Sequence, residues 1–175
     1  VDTELFKPRD KQSIRKNIGL PLDKKIVLYA GNLVEIKGVS NLMEALPVIL
    51  DLKPNTLAVI VGEGETKDNL RIQAKSLGID DFVRFEGFKP YSELALWIGA
   101  SDVLVLPSLR EGLGLVALEA LSSGVPVVAS GVGGIPEFVK DGENGFVVEP
   151  GNSAEITDRV RILLEDDENY LRMSK

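Results

Sequence analysis

Short apolar runs alternate along the chain with longer stretches in which apolar residues recur at helical spacing. Several of the short runs, such as KIVLYA and LAVIV, are apolar throughout, which is typical of strands covered on both faces. They predict strands at residues 25–30, 57–61, 82–85, 103–106, 126–129 and 145–148. The stretches between them predict helices at residues 38–50, 67–77, 92–100, 113–123, 135–140 and 153–165. Repeated alternation of this kind predicts an α/β fold, a doubly wound parallel sheet of about six strands with helices on both faces.

Four residues mark predicted helix boundaries. Ser92 and Ser153 are placed to cap the amino ends of two helices, because a hydroxyl can accept hydrogen bonds from the N–H groups of a first turn. Gly78 and Gly124 stand where two other helices should stop, since glycine readily adopts the left-handed conformation that ends helices.

Composition and pattern divide the chain into three parts. Residues 1–24 carry two prolines and many charges, and we predict an arm or interdomain linker that leads into the domain. Residues 25–166 hold the alternating strands and helices of the predicted domain, and residues 167–175 form a charged tail that frays or adds a helix. No Met opens the sequence, and its first residues look like the middle of a longer chain.

The composition excludes several kinds of chemistry. The 175 residues include no Cys and no His, which removes disulfides, thiolate metal sites and Ser-His-Asp or zinc chemistry. The net charge of −7 argues against nucleic acid as a partner, although a lysine and a helix N-terminus could still hold a small anion. No apolar run approaches the roughly 20 residues that span a bilayer. No signal peptide is visible either, so we expect a cytoplasmic protein.

The segment of residues 107–120, PSLREGLGLVALEA, is the strongest candidate for a binding site. Gly112 and Gly114 permit a tight turn with close backbone approach, and a helix follows from about Leu115. No polar side chain in the first helical turn can satisfy its N–H groups. Because loops that follow parallel strands lie at one edge of the sheet, where ligands bind, we predict an anion site at this helix N-terminus.

Two acids flank this candidate anion site. Glu111 precedes the helix and Glu119 lies within it, where both could accept hydrogen bonds from hydroxyl groups on either side of a diphosphate. Taken alone, each acid also fits a solvated loop or helix surface, which is the commoner situation. A solvated face is less obvious for Glu119, because it lies within the apolar stretch LVALEAL.

Three further glycine-rich loops follow predicted strands. In GNLVEIKG, Gly31 permits a tight turn and Lys37 could reach a phosphate, although a lone lysine is more often solvated. In VGEGE, Gly62 begins a possible dinucleotide fingerprint that fails, because Lys67 stands where the third glycine is needed. The loop GVGGIPE fits a cleft lining and a plain strand-to-helix connection about equally well. The sequence contains no D-x-D pair for a metal.

These loops stand in the order of a known family. The motifs are VDTELFKP, GNLVEIKG, VGEGE, VRFEGF, LVLPS, EGLGLVALEA, GVPVVAS, GVGGIPE and DGENGFVVEP. Each is weak alone, but together they resemble the C-terminal, donor-binding domain of family-4 retaining glycosyltransferases (glycosyl transferases group 1). The resemblance covers residues 1 to about 166 and includes the family's pair of glutamates separated by seven residues. It implies a Rossmann-like domain, which is the C-terminal half of a GT-B fold.

The resemblance also implies roles for individual residues. Glu111 would act in catalysis by binding hydroxyls of the donor sugar and supporting charge at its anomeric carbon. Glu119 would hold the ribose hydroxyls, and Lys37 would neutralise the diphosphate of a UDP-, GDP- or ADP-linked sugar. The full set of implied donor-binding residues is Gly31, Asn32, Lys37, Gly62, Gly87, Phe88, Gly112, Leu113, Gly114, Leu115 and Glu119. Such enzymes need no cofactor and no metal ion.

The sequence departs from the family pattern at two positions. Many members have an arginine on the diphosphate where this chain has Asn32. The loss of that cation should weaken donor binding by about one to two powers of ten, unless Arg110 or Lys89 replaces it. Leu113 stands where an aromatic residue is more usual, which should change packing more than chemistry.

A GT-B enzyme also needs an N-terminal domain, which binds the acceptor and lies outside this sequence. We therefore expect the 175-residue chain to bind a nucleotide sugar but to transfer little alone. Any association with the membrane surface would involve the N-terminal domain. Two alternatives remain, a nucleotide-binding module without transferase chemistry, such as an NAD-binding domain, and an interaction domain without catalysis. The failed fingerprint disfavours the first, and the joint presence of Glu111, Glu119 and Lys37 disfavours the second.

Overall fold

The structure, a computed structural model, describes residues 1–174. The strands are β1 (Lys25–Ala30), β2 (Thr56–Val61), β3 (Val83–Gly87), β4 (Val103–Leu106), β5 (Val127–Ser130) and β6 (Gly145–Val148). The helices are α1 (Lys11–Ile18), α2 (Val39–Leu52), α3 (Lys67–Ser76), α4 (Tyr91–Ala100), α5 (Leu115–Ser122), α6 (Ile135–Phe138), α7 (Ser153–Glu165) and α8 (Asp167–Met173). Every predicted strand and helix is present, most with bounds shifted by one or two residues.

The six strands form one parallel sheet in the order β3-β2-β1-β4-β5-β6, with helices on both faces. This confirms the predicted Rossmann-like, doubly wound fold. Strand order reverses between β1 and β4, which pair directly through Val27 and Leu28 with Val103 and Leu104. In sheets of this kind the loops after the two strands diverge at the reversal and leave a crevice at their carboxyl ends.

The core lies on both sides of the sheet. Strands β2, β4 and β5 are buried at every residue, which explains why their sequences are apolar throughout. Helix α2 packs against α3 and α7, and helix α4 packs against α1 and α5. The sheet therefore forms a rigid platform whose carboxyl edge carries the candidate loops.

Residues 1–24, predicted to be an arm or linker, contain helix α1, which the sequence analysis did not predict. Asp10 caps this helix by accepting a hydrogen bond from the Ser13 N–H at 3.0 Å. Phe6 and Ile14 are buried in the core, so this segment packs against the domain. Whether it also links this domain to a preceding one stays a prediction.

A buried ion-pair network fastens α1 to the amino edge of the sheet. Arg15, which is 3% exposed, donates to Asp102 Oδ2 at 2.8 Å and to the Ala100 carbonyl. Lys11 donates to Asp102 Oδ1 at 2.9 Å, and the Ile26 N–H donates to Oδ2. Burial opposes ionisation of Asp102, but the charges of Lys11 and Arg15 outweigh it and lower the pKa of this carboxyl.

The predictions of helix boundaries met mixed outcomes. Both predicted serine caps are wrong, because Ser92 lies inside α4 and Asn152 caps α7 by accepting from the Glu155 N–H. Gly78 and Gly124 do follow the ends of α3 and α5, with φ values of +68° and +70°. Within the predicted charged tail, residues 167–173 form α8, whereas Lys175 lies outside the described residues.

Candidate functional site

The crevice between the loops after β1 and β4 is a cleft of about 420 Å³ at the carboxyl edge of the sheet. Nine of the twelve predicted site residues line it, which are Gly31, Asn32, Lys37, Gly62, Phe88, Glu111, Gly114, Leu115 and Glu119. Gly87, Gly112 and Leu113 are not among the residues that line it. The volume lies in the range of small-molecule sites.

An ion pair joins the two loops at one end of the cleft. The Lys37 ammonium lies 2.7 Å from Glu111 Oε2, and the side chains are 21% and 13% exposed. Glu111 also accepts from the Ser108 hydroxyl at 3.1 Å and from the Gly112 N–H at 3.3 Å. Neither charged group is a freely solvated surface residue, which was the alternative for both.

Backbone contacts set the position of this pair. Lys37 ends a 3₁₀ turn, Glu35–Lys37, and Gly38 follows it in the left-handed conformation with a φ of +62°. A Cβ atom on Gly38 would lie 2.1 Å from the Pro107 carbonyl oxygen, so only glycine lets the two loops approach this closely. The Leu109 N–H then donates to the Ile36 carbonyl at 2.8 Å.

Glu119 lies deeper in the cleft, in the middle of α5. Glu119 is 5% exposed, which excludes the alternative that it lies on a solvated helix face. Burial raises the pKa of the Glu119 carboxyl, while interaction with the Tyr91 hydroxyl acts in the opposite direction. The Tyr91 ring is held edge-on against buried Phe6, with the ring centroids 5.0 Å apart. Glu119 is therefore a desolvated acceptor that faces the cleft.

The amino end of α5 opens onto the cleft through Gly114, Leu115 and Val116. Gly114 has a φ of +74°, and α5 has no side-chain cap at this end. The first N–H groups of a helix have no partner within it, so they are available to an anion. Gly112 does not play the steric part expected of it, because a Cβ atom there would meet nothing within 4 Å.

The loop GVGGIPE supports the Glu111 loop from behind and does not line the cleft. Gly133 has a φ of +57°, and a Cβ atom on it would lie 2.1 Å from the Glu111 carbonyl oxygen. The Gly134 N–H donates to the Gly112 carbonyl at 2.8 Å. The sequence left two interpretations of this loop open, and the structure favours a supporting role.

The loops after β1 and β2 are in direct contact. A Cβ atom on Gly62 would lie 1.9 Å from the Gly31 carbonyl oxygen, so the sequence needs glycine here for close packing and not for a dinucleotide turn. The Gly62 N–H donates to the Gly87 carbonyl at 2.8 Å, which places Gly87 behind the cleft wall. Phe88 follows at the rim with 73% of its surface exposed.

Asn32 carries no positive charge. The two candidates to replace that charge, Lys89 and Arg110, differ in their position relative to the cleft. Lys89 lines the cleft, whereas Arg110 is not among the lining residues. The Lys89 ammonium lies 3.8 Å from Glu86 and 5.0 Å from the centre of the Trp97 ring. Lys89 is therefore held near Trp97 of α4.

Sequence reasoning missed several lining residues, which are Tyr29, Glu63, Tyr91 and Leu94. Tyr29 is hidden in the apolar run of the first strand, where its hydroxyl gave no pattern signal. The lining side chains carry two positive charges, on Lys37 and Lys89. They carry three negative charges, on Glu63, Glu111 and Glu119, so the lining sums to −1. A polyanionic ligand would therefore depend on backbone donors as well as on lysine.

The described part of the chain offers neither a metal cluster nor a membrane span. Within residues 1–174, no three or more acidic, histidine or cysteine side chains are grouped so as to hold a metal ion. No helix in the same residues has the length and apolarity to cross a bilayer. The absence of a metal from the reaction stays a prediction.

The strand order and the cleft define a Rossmann-like α/β domain whose candidate site lies at the carboxyl edge of its sheet. The sequence model of the family described as glycosyl transferases group 1 matches residues 10–175. The chain belongs to this family and corresponds to the C-terminal domain of its GT-B members.

Curated relatives agree with the assignment to this family. The D-inositol 3-phosphate glycosyltransferase of Corynebacterium glutamicum is 37% identical, across 100% of this chain and 44% of that protein. An uncharacterized glycosyltransferase of Methanocaldococcus jannaschii is 39% identical, across 90% of this chain and 40% of that protein. The chain thus spans less than half the length of these relatives.

Solved structures share the fold. The C-terminal domain of a glycosyl transferase group 1 family protein (LpcC) from Francisella tularensis has a TM-score of 0.92 and 33% identity, covering 100% of this chain and 93% of that one. Anabaena HepE in complex with UDP and glucose has a TM-score of 0.90 and 28% identity, covering 100% of this chain and 48% of that one.

Proposed function

We propose that this chain is the donor-binding domain of a retaining glycosyltransferase and that it holds a nucleoside diphosphate sugar in the cleft. The observation that carries the proposal is the convergence of Lys37, Glu111 and Glu119 with the open end of α5 on one cleft. This arrangement offers donors for phosphate at the centre and acceptors for hydroxyl groups on both sides.

The phosphate subsite follows from charge. The N–H groups at the amino end of α5 and the ammonium of Lys37 are positive groups on the two sides of the crevice. A diphosphate between them gains charge-assisted hydrogen bonds, which are roughly twice as strong as neutral ones. Lys37 would also balance the negative charge that grows on the diphosphate as it leaves the sugar.

The hydroxyl subsites follow from the two carboxylates. Glu119 is desolvated and has an acceptor capacity that the ribose hydroxyls of a nucleotide can satisfy. Glu111 stands at the opposite end of the phosphate subsite, where it would bind the donor sugar and support positive charge at the anomeric carbon. Exposed Phe88, beside Gly87, would contact the base of the nucleotide.

The proposal assigns the acceptor to a domain outside this sequence. The relatives are more than twice as long as the part that this chain matches, and one structural neighbour is crystallised with both UDP and glucose. We infer that the isolated chain binds the donor, needs no metal for this, and transfers little sugar. Efficient glycosyl transfer by the 175-residue chain would contradict this inference.

Thermal unfolding with UDP, GDP, ADP and NAD tests the proposal. A ligand at one hundred times its dissociation constant adds about 2.7 kcal/mol. For a domain of this size, that is a rise in Tm of roughly 5–11 °C. We expect one nucleoside diphosphate to give such a rise, UDP being the first candidate, and Lys37→Met to reduce it strongly. Lys75→Met is the matched control, because Lys75 is an exposed residue of α3, and this variant should behave as wild type.

Other results would favour other functions. A rise with NAD alone would indicate a dinucleotide-binding module. No rise in Tm with any nucleotide would contradict donor binding by this domain. An equal rise in wild type and Lys37→Met would leave a nucleotide site but place it away from Lys37.

A further inference from the structure

We propose that Tyr29 is a positioning residue that holds the loop after β1 so that the Asn32 N–H donates to the diphosphate. The proposal rests on the donor-binding function above and deepens it. It gives the cleft a neutral donor at position 32, where the side chain carries no positive charge.

Several hydrogen bonds fix this loop, and three of them hold its first residues. The Gly31 N–H donates to the Val61 carbonyl at 3.0 Å, and the Leu33 N–H donates to the Glu63 carbonyl at 2.9 Å. Between them, the Tyr29 hydroxyl donates to the Asn32 carbonyl at 2.8 Å. The tyrosine bond is the one side-chain contact among the three, and it acts on the peptide that follows Asn32.

Between the Gly31 and Leu33 N–H groups, the Asn32 N–H is the one backbone donor without a partner in the described part of the chain. It has no acceptor among residues 1–174, and Asn32 is exposed and lines the cleft. The Gly31 carbonyl of the same peptide is packed against Gly62. Because a trans peptide directs its C=O and N–H to opposite sides, this N–H points away from Gly62.

The charge balance of the cleft gives such a donor a purpose. The lining side chains sum to −1, and Lys37 is already paired with Glu111 at 2.7 Å. A backbone N–H that faces a phosphate oxygen forms a charge-assisted bond and brings no desolvated charge of its own. The asparagine side chain is not required for this contact, which explains how the loop can work without an arginine.

Tyr29 is well suited to hold the loop permanently. It is fully buried, and its hydroxyl is so close to the loop that a Cβ atom on Gly31 would lie 2.9 Å from it. Burial, followed by the negative charge of Glu111, raises the pKa of the Tyr29 hydroxyl. The group therefore stays protonated and keeps donating throughout the neutral range.

Calorimetric titration of Tyr29→Phe with UDP and UMP tests the proposal. The variant keeps the ring and loses one hydrogen bond, so we expect UDP affinity to fall by about threefold to tenfold. We assign the Asn32 N–H to the second phosphate, which UMP lacks, so UMP affinity should fall at most twofold. Tyr170→Phe is the matched control, because it removes a hydroxyl that accepts from Lys11 at the opposite edge of the sheet. It should bind both nucleotides as wild type does. The pairs GDP with GMP and ADP with AMP extend the test to other bases.

A second measurement is independent of the variant's folding. In the wild type, saturation with UDP should move the ¹⁵N–¹H resonance of Asn32 strongly, and UMP should move it little. An unchanged Asn32 resonance, unchanged UDP affinity in Tyr29→Phe, or an equal loss for UDP and UMP would each overturn the proposal. If wild type binds none of the nucleotides, the donor-binding function itself fails, and this result is distinct from all three.

Discussion

The ammonium of Lys37 and the carboxylate of Glu111 lie 2.7 Å apart although 74 positions separate them in the sequence. Each group is partly buried, and each gives the other a hydrogen-bond partner of opposite charge. On the proposed function, a diphosphate would compete with Glu111 for this ammonium. The ion pair would then weaken nucleotide binding while it keeps both side chains in position.

Replacement of Glu111 with glutamine should separate binding from catalysis. Glu111→Gln frees the Lys37 ammonium, so we expect UDP affinity to stay equal or to rise by up to about tenfold. In the proposed two-domain glycosyltransferase, the same change should lower kcat by at least about a hundredfold, because charge at the anomeric carbon would lose its support. Calorimetry and a transfer assay measure the two effects.

The control for this prediction is Glu63→Gln, which removes another carboxylate that lines the cleft. Glu63 is 52% exposed and pairs with Lys67, so its loss should change neither quantity by more than about twofold. A tenfold weaker affinity for UDP in Glu111→Gln would contradict the competition between Glu111 and the diphosphate.

Glu119→Gln should bind the nucleotide more weakly and still be at least as stable as wild type. The loss of charge-assisted bonds to the ribose should reduce UDP affinity by roughly 10- to 100-fold. Burial raises the pKa of Glu119 in the folded state, so its ionised form destabilises the fold above that pKa. This penalty disappears as the pH falls through the raised pKa and is absent at all pH values in the variant.

Unfolding by urea from pH 4 to pH 8 measures the stability effect. The difference between Glu119→Gln and wild type should grow in favour of the variant as the pH rises. A variant that is clearly less stable at pH 7 would show that Glu119 contributes to the fold through its charge.

Asp102→Asn should destabilise the fold strongly without a direct effect on the cleft. Arg15 would keep a buried charge without its partner, which costs about 3–5 kcal/mol. The Tm should fall by roughly 6–20 °C. Because the folded pKa of Asp102 is lowered, wild type holds this stability above pH ~4 and loses it as the pH falls through the folded pKa.

Calorimetric unfolding measures the Asp102 effect, with Glu165→Gln as its control. Glu165 pairs with Arg161 at 3.0 Å on the surface, so its replacement should change the free energy of unfolding by less than about 0.5 kcal/mol. Equal stability of the two variants would mean that the buried network does not anchor α1.

Gly133→Ala should displace the Glu111 loop. The new methyl group would overlap the Glu111 carbonyl, and alanine is strained at a φ of +57°. We expect a loss of roughly 1–3 kcal/mol in stability together with weaker UDP binding. Gly112→Ala is the steric control, since its Cβ has open space, and its stability should stay within about 0.5 kcal/mol of wild type.

The apolar pattern was sufficient to predict the sheet because strands buried on both faces must be apolar throughout. The same logic failed for α1, where Arg15 is buried and Lys11 is partly buried, since their partner Asp102 is distant in sequence. Pairing across that distance cannot be read from local periodicity.

The candidate site was predictable where residue type carried the signal. Glycines after strands and the two glutamates indicated the cleft, and the structure brings Glu111, Glu119 and Lys37 together there. Tyr29 was not predicted as a site residue, because an aromatic residue in an apolar strand is typical of the core. The role of its hydroxyl depends on its contact with the Asn32 carbonyl in the loop after β1, which the local sequence does not define.

The direct pairing of β1 with β4 fixes the width of the cleft. Neighbouring strands are held about 4.8 Å apart by their hydrogen bonds, and the loops that bear Lys37 and Glu111 start from these two strands. The separation of these two loops at their base therefore cannot change without breaking the sheet. On the proposed function, closure over a bound donor would therefore come from outside this sheet, and this domain would stay fixed during that movement.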